Sequence, residues 1–305
     1  MTITPDCDDI YGDTLSVLLR HIELRARVYL RAEFCGKWAL DGSGQHRAPF
    51  HLITRGSGWL HIEGQPPQQL TGGELVIFPR DTPHTISHSE LPADPTEINQ
   101  PPPDVLTGPV TGLMCGYFEF DQRAAELLLR HLPSAVVMDL RNSASHRDTA
   151  ALIQLWINEC ATESPGVGFA IDQLAYVVFV HMLREQIASG RLQGPLGALS
   201  DPRLGPVLHQ IHMNPGADHN VDRLADLAGM SRSSFSQHFK HKTGITPAQY
   251  VMHWRMQQAT RLLRSAEDSI TAIAEIVGYQ SEVAFRKAYR SFTGKPPGKV
   301  RREGL

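Results

Sequence analysis

Cysteine is scarce in this chain: four residues in 305 (Cys7, Cys35, Cys115 and Cys160), with no C-x-x-C spacing among them. That excludes a disulfide-stapled scaffold and a zinc finger, and predicts thiols that are reduced at rest. Long apolar runs are missing as well. The longest strongly apolar run, Leu174 to Val180, is far short of the roughly 20 residues that cross a bilayer. The opening MTITPDCDDI is acidic and lacks the basic and apolar blocks of a signal peptide, so the expectation is a cytoplasmic protein without a membrane partner. A strong net charge is also absent, the formal total being -3 at pH 7. That total hides a division. Residues 203–305 carry 15 Lys+Arg against 8 Asp+Glu, a net of +7, whereas the first 202 carry 14 against 24, a net of -10. Such a split suggests a module that meets a polyanion, joined to one that does not.

The length gives room for about two domains, each with its own core. Residues 50–120 are rich in Gly, Pro and β-formers, as in FHLITRGSGWLHIEG, QQLTGGELVIFPRDTPHTISH and TGLMCGYFEF. Short apolar runs at this spacing predict antiparallel strands in a barrel or sandwich. Between His88 and Val110, SELPADPTEINQPPPDVLTGP has six prolines and four acids, which predicts a long mobile loop. After Phe120 the pattern turns helical, first in DQRAAELLLRHL and then as two helices between Ser145 and Ile187. The second of these, IDQLAYVVFVHMLREQI, is apolar nearly all round and should be buried on more than one side. SGRLQGPLGALSDP, residues 189–202, has the Gly and Pro content of a linker. The expected division is therefore 1–188, linker 189–202, and 203–305.

The last third contains an internal repeat. LADLAGMSRSSFSQHFKHKTGITP, from Leu224 to Pro247, returns as IAEIVGYQSEVAFRKAYRSFTGKPP over 273–297, offset by 49 at Gly229/Gly278 and by 50 from Phe235/Phe285 to Pro247/Pro297. Each copy reads as a short helix, a glycine turn, a polar cap and a second helix, which is a helix-turn-helix. Phe235 and Phe239, like Phe285 and Tyr289, are four apart and mark the buried face. The opposite face then presents Ser233, Ser236, Gln237 and Lys240 in one copy and Val283, Arg286, Lys287 and Arg290 in the other. Gln and Arg can pair with base edges in the major groove, and Lys and Arg can hold phosphates. PAQYVMHWRMQQATRLLRS, between the copies, predicts one helix that joins them, opening on Pro247.

These residues resemble the DNA-binding domain of the AraC/XylS family of bacterial transcription regulators. The resemblance implies that Ser233, Ser236 and Gln237 in the first unit, and Glu282, Val283, Arg286 and Lys287 in the second, face bases. It implies that Lys240, Arg255 and Arg290 contact the DNA backbone. The small Ser233 and Ser236 suggest that the first unit contributes less to specificity. Implied partners are promoter DNA, RNA polymerase, an effector and a second copy in a homodimer.

GGELVIFPRDTPHTISH fits the second cupin motif at Gly73, Pro79 and His84, with Asp81 and His88 in place of the pattern's Gly and Asn. The first motif's H-x-H pair is missing, since only His51, then His61 and Glu63, are offered. A catalytic iron site is thus short of ligands, which disfavours the alternative of a metal-dependent cupin enzyme with an appended DNA-binding domain. Residues 10–185 resemble the cupin-like sensor domains of one AraC subgroup, whose oxidant-responsive members place cysteines near the Cys35 and Cys115 positions. The fold expected is α+β: a cupin-like β-barrel with accessory helices, then an all-α tandem helix-turn-helix domain. Cys35, His51, His84 and Cys115 all fall on or beside predicted strands. Brought together they would make a tetrahedral zinc site or a thiol switch. A pocket for a small organic effector and a purely structural barrel are the other readings.

Overall fold

The computed structural model describes residues 13–21, 24–120, 129–139, 147–265 and 268–303, which divide between two compact units. Described residues of 24–186 form the first; 13–21, which hold α1 (Thr14–His21), join those of 187–303 in the second. Cys7 and nearly all of the helix expected over 121–132 lie outside the described residues.

The first unit contains β1 (Arg25–Cys35), β2 (Ala39–Leu40), β3 (Ala48–Arg55), β4 (Ser57–Ile62), β5 (Gln68–Thr71), β6 (Glu74–Ile77), β7 (His84–Ser87), β8 (Val110–Glu119) and β9 (Val136–Asp139). They form two antiparallel sheets, β1-β8-β3-β6-β9 and β2-β7-β4-β5, so among the described residues the cupin layout is a sandwich and not one closed ladder. Phe34, Ile53, Val76, Leu113 and Cys115 from the larger sheet meet Leu40, Leu60, Leu70 and Ile86 from the smaller one in a common core. β3 is buried along almost its whole length because its other face is covered too. There Phe50 packs 5.3 Å from Trp156 on α2 (Arg147–Cys160), and Phe118 packs 4.7 Å from Phe179 on α3 (Val167–Ala188). Phe50 lies over Gly116, where a methyl would come within 2.3 Å of the ring, so this crossing admits only glycine.

At 22 residues α3 is long and apolar enough to cross a bilayer, a reading that the short run at 174–180 did not suggest. It buries one stripe, Ile171, Ala175, Val178, Phe179, Met182 and Leu183, with Phe179 seated on Phe118 of the sheet, and a third of its most apolar window is buried, so the burial on more than one side expected from the sequence is not found. The proline-rich segment after β7, expected to be loose, is tied down. The Asn99 amide donates to Ala39 O (2.8 Å), its side chain exchanges two 3.0 Å bonds with the Asp41 backbone, and Glu97 pairs with Lys37 at 3.2 Å. Asn and Asp side chains that bond backbone can order a proline-rich stretch that no sheet contains.

In the second unit come α4 (Gly194–Ala198), α5 (Leu204–Met213), α6 (Val221–Leu227), α7 (Arg232–Thr243), α8 (Pro247–Ser265), α9 (Ile270–Ile276), α10 (Glu282–Thr293) and α11 (Pro297–Glu303). The stretch read as a linker contains α4, whose buried Pro195, Leu196 and Ala198 pack in this unit against α7. Its proline sits in the first turn, where it starts a helix instead of breaking one. α8, about 28 Å long at 1.5 Å per residue, serves two cores. Tyr250 and Trp254 join the aromatic packing of Phe239 and His212, while Met256, Ala259 and Leu263 join Ile273, Val277, Phe285 and Tyr289.

Candidate nucleic-acid interface

Both α7 and α10 are built by the same local chemistry. Ser231 Oγ accepts from the Ser234 amide and Ser281 Oγ from the Ala284 amide, each at 3.3 Å, satisfying a donor that the first turn leaves open. Gly244 (φ 82) and Gly294 (φ 73) end the helices in the left-handed region, their amides bonding Lys240 O and Arg290 O at 2.9 Å. The hydroxyls of Thr243 and Thr293 return to Phe239 O (2.8 Å) and Tyr289 O (2.9 Å), so the repeat extends to individual hydrogen bonds. Ser281→Ala should therefore destabilise the second helix by about 1 kcal/mol, seen as a lower denaturant midpoint. An unchanged midpoint would show that the cap is not needed there.

The buried faces carry Phe235, Phe239, Phe285 and Tyr289, all at 0% exposure, and their rigidity aims the opposite faces outward. Ser233, Gln237 and Lys240 are exposed and Ser236 is half-buried; Val283, Arg286, Lys287 and Arg290 are exposed. Val283 is 77% exposed, an apolar group on a polar face of the kind that can meet a thymine methyl. Beside α10, Arg286, Lys287, Arg290, Ser291, Pro296 and Pro297 line a cleft of about 600 Å³ with three cations and no carboxylate. Such a cleft suits a phosphate backbone.

Several of the expected contact residues, Glu282, Arg286 and Arg255 among them, have partners within the protein. Glu282 accepts from the Thr271 hydroxyl and from Arg286 Nε (2.6 Å), and these hydrogen bonds hold its pKa below the ordinary carboxylate value. Glu282 thus orients Arg286 across one helical turn. Arg255, expected on the DNA backbone, turns inward, its Nε donating to Pro215 O and its Nη2 to Ala217 O, both at 2.8 Å. Asp201 was not singled out by the sequence pattern. It accepts from the Arg203 and Leu204 amides at the start of α5 and holds His238 of α7 at 3.0 Å. Burial works against its charge, yet these bonds keep its pKa below the usual value. An Asp three residues before the first apolar helical position was the available signal.

In the sheet unit, three of the four expected metal or redox residues meet. His51 Nδ1 is 3.0 Å from Cys115 Sγ, and His51 Nε2 is 2.8 Å from His84 Nε2. His84 Nδ1 lies 2.7 Å from Thr82 O, which can only accept, and this contact sets every tautomer. His84 donates from Nδ1, so its Nε2 accepts from His51 Nε2–H, leaving His51 Nδ1 to accept from the Cys115 thiol. The result is a neutral, fully satisfied chain in the core, with Phe78 stacked 3.5 Å from the His84 ring. Outside it, a methyl at Gly42 would lie 3.0 Å from the Tyr29 hydroxyl and 3.5 Å from His51 Cε1. Tyr29 occupies the bulge where the β1–β8 register slips between Val28 and Leu30, a feature that sequence cannot announce.

Cys35 is not part of this chain. Leu30 is the partner of Cys115 and Cys35 pairs with Val110, which puts the two cysteines five residues apart along the ladder, roughly 16 Å at strand rise. A disulfide spans about 4.4 to 6.8 Å between Cα atoms, so the expected Cys35–Cys115 bond does not form in this fold. The expected zinc site fails as well. Cys115 and His84 sit on opposite edges of the His51 ring, where one ion cannot bind all three, and among the described residues no group of three or more His, Cys, Asp and Glu is arranged to hold a metal. Burial pushes the Cys115 thiol pKa up, away from thiolate chemistry.

Burial also lowers the pKa of His51 well below 6.5, helped by His84, and lowers that of His84. The unfolded chain takes up these protons near pH 6.5 while the folded unit does not. The stability contributed is therefore complete above pH 6.5 and is lost as pH falls below it toward the folded values. Denaturant midpoints of the sheet unit should drop between pH 6.5 and 5, together with faster labelling of Cys115. A flat profile would show that these imidazoles are not held neutral.

Comparison with known proteins finds a cupin domain and a helix-turn-helix domain in this chain. The Cupin family model matches residues 13–188, and that of the Helix-turn-helix domain matches 224–303. A putative AraC-like transcription regulator of Streptomyces lividans is 30% identical, with 92% of this chain and 95% of that protein covered. The HTH-type transcriptional regulator MtrA of Neisseria gonorrhoeae is 28% identical over 96% and 99% of the two chains. The RCS-specific HTH-type transcriptional activator RclR of Escherichia coli K12 is 29% identical over 83% of each.

Proposed function

This chain belongs to the AraC family of transcriptional regulators, with an N-terminal cupin domain and a C-terminal helix-turn-helix DNA-binding domain, and we propose that it activates transcription in response to an effector taken up by the cupin unit. It is a regulator, not the metal-dependent cupin enzyme that was the alternative. In our reading α7 and α10 enter successive major-groove segments of promoter DNA in the cytoplasm, and one chain reads an asymmetric site. The observation that carries this is α10, which places Val283, Arg286 and Lys287 on one exposed face beside the cationic cleft. Gln237 adds base contacts in the first unit, and Lys240 and Arg290 hold phosphates.

The neutral His51–His84–Cys115 chain favours a small organic effector over an ion or a disulfide, since no group in it is charged or reactive at neutral pH. An oxidant, as the oxidant-responsive members of the resembled subgroup suggest, would act at half-buried Cys35, whose sulfur accepts from the Thr107 amide at 3.3 Å. Leu155 (52% exposed) on α2 and Phe169 (74%) on α3 are large apolar side chains that a second copy would cover in the homodimer the resemblance implies. Effector binding would bias two arrangements of the cupin unit and change how the DNA-bound protein engages RNA polymerase. The test is selection of duplexes from a randomised pool by the full chain, followed by titration at several salt concentrations. One enriched asymmetric motif with a steep salt dependence is expected; salt-sensitive binding without any preferred motif would overturn the reading.

A further inference from the structure

Arg255 stands near the middle of α8, between the approach to α6 and the turn that follows α9. Besides its bonds to Pro215 O and Ala217 O, its Nη1 faces Gly278 O at 3.5 Å. One guanidinium therefore joins a segment of the first helix-turn-helix to a segment of the second. The two segments also touch directly. A methyl at Gly216 would lie 2.6 Å from Ile276 O, and one at Gly278 would lie 2.8 Å from both Gly216 O and Arg255 Nη2. Gly278 has φ +82, so a side chain there would be strained even without the contact. Pro215–Ala217 leads into the Asn220 cap of α6, and Gly278 leads into the Ser281 cap of α10. The clamp thus sits where each unit sets the direction of its helices.

α8 alone fixes the distance between the units but leaves their bending and rotation about its axis to whatever packs across it. A planar fork of donors can bond carbonyls from two segments at once, which a lysine ammonium on a flexible stem does poorly. We propose that Arg255 is a positioning residue which, through the Gly216–Gly278 contact, locks the two recognition helices at one spacing and rotation, so that the protein selects DNA sites by the distance between their two half-elements. This rests on α7 and α10 being the elements that read DNA. It differs from a phosphate contact by Arg255, which would add affinity at every spacing.

The experiment uses the full chain and its selected duplex, with one or two base pairs inserted or deleted between the half-elements. Each inserted pair rotates the second half-element by about 34 to 36° and moves it by about 3.4 Å. Wild type should lose about tenfold or more in affinity on a one-pair insertion. Arg255→Lys should bind the native spacing about fivefold more weakly, discriminate against the insertion only about twofold, and keep the wild-type salt slope. Gly278→Ala, which disturbs the clamp without changing charge, should behave in the same way. Arg255→Lys would overturn the proposal if it weakened all spacings equally. So would a folded Gly278→Ala protein, judged by circular dichroism, that kept full discrimination. A wild type with no preferred duplex at all would instead sink the DNA-reading assignment on which the proposal stands.

Discussion

Phe285→Ala is expected to cost about 3 to 5 kcal/mol, the range for emptying a fully buried aromatic site. The ring has 0% exposure, lies edge-on to Tyr279 at 5.7 Å and tilted to Tyr289 at 5.6 Å, and packs in the cluster built from α8, α9 and α10. Against a typical domain stability of about 5 to 15 kcal/mol, the loss is a large fraction of the whole. Urea unfolding followed by circular dichroism should show a much lower midpoint, and specific DNA binding should fail even though no contact residue has been touched. Phe285→Leu should recover most of both, because leucine refills much of the volume. A cost under 1 kcal/mol for the alanine variant would mean that the cluster closes over the gap and that the ring is not what orients α10.

Arg286→Ala should have the opposite profile: an unchanged unfolding midpoint, because the residue is exposed, and a loss of about 1 to 3 kcal/mol on the selected site, or roughly 5- to 150-fold in affinity. Specificity should relax at one base pair only. Arg290→Ala gives the contrast expected of a phosphate contact, weakening all sequences alike and lowering the salt slope by about one. Glu282→Gln should fall between them, since the amide can still accept from Arg286 Nε but no longer as a charged partner. Equal affinity of Arg286→Ala and wild type on both the selected site and its single-base variants would remove Arg286 from the reading face.

The helical unit was legible because everything that defines it is local. Caps at Ser231 and Ser281, glycines at 244 and 294, and aromatics four apart all lie within one or two turns of what they control. The sheet unit was legible only in kind. His51, His84 and Cys115 could be expected to converge, but no sequence spacing states how far along a ladder a residue sits, and register separates Cys35 from the cluster. The same holds for Arg255. The family resemblance placed it on the DNA backbone, while the carbonyls it meets come from 23 to 40 residues away in sequence. Asn99 and Asp41, 58 residues apart, order the proline-rich stretch by contacts that its composition does not contain.

The pairing of β1 has a consequence for how the chain is made. Among the described residues β8 is the one strand that pairs with β1, with Arg25 opposite Glu119 and Cys35 opposite Val110, and β1 is an edge of its sheet, met there by the Asp172 side chain, which accepts from the Val28 amide at 3.3 Å. During synthesis at about 5 to 20 residues per second, the first strand must wait on the order of 5 to 20 seconds for its partner to emerge. Throughout that interval an eleven-residue strand has both edges open to other nascent chains. Arg25, Arg27, Arg31 and Glu33 stand at its exposed positions, and charges on an open strand discourage pairing with a neighbour. In the finished molecule Arg25, Arg27, Arg31 and Glu33 flank an edge that no strand pairs and that Asp172 covers only at Val28; on the ribosome they guard both edges, and their service is greatest before the fold exists.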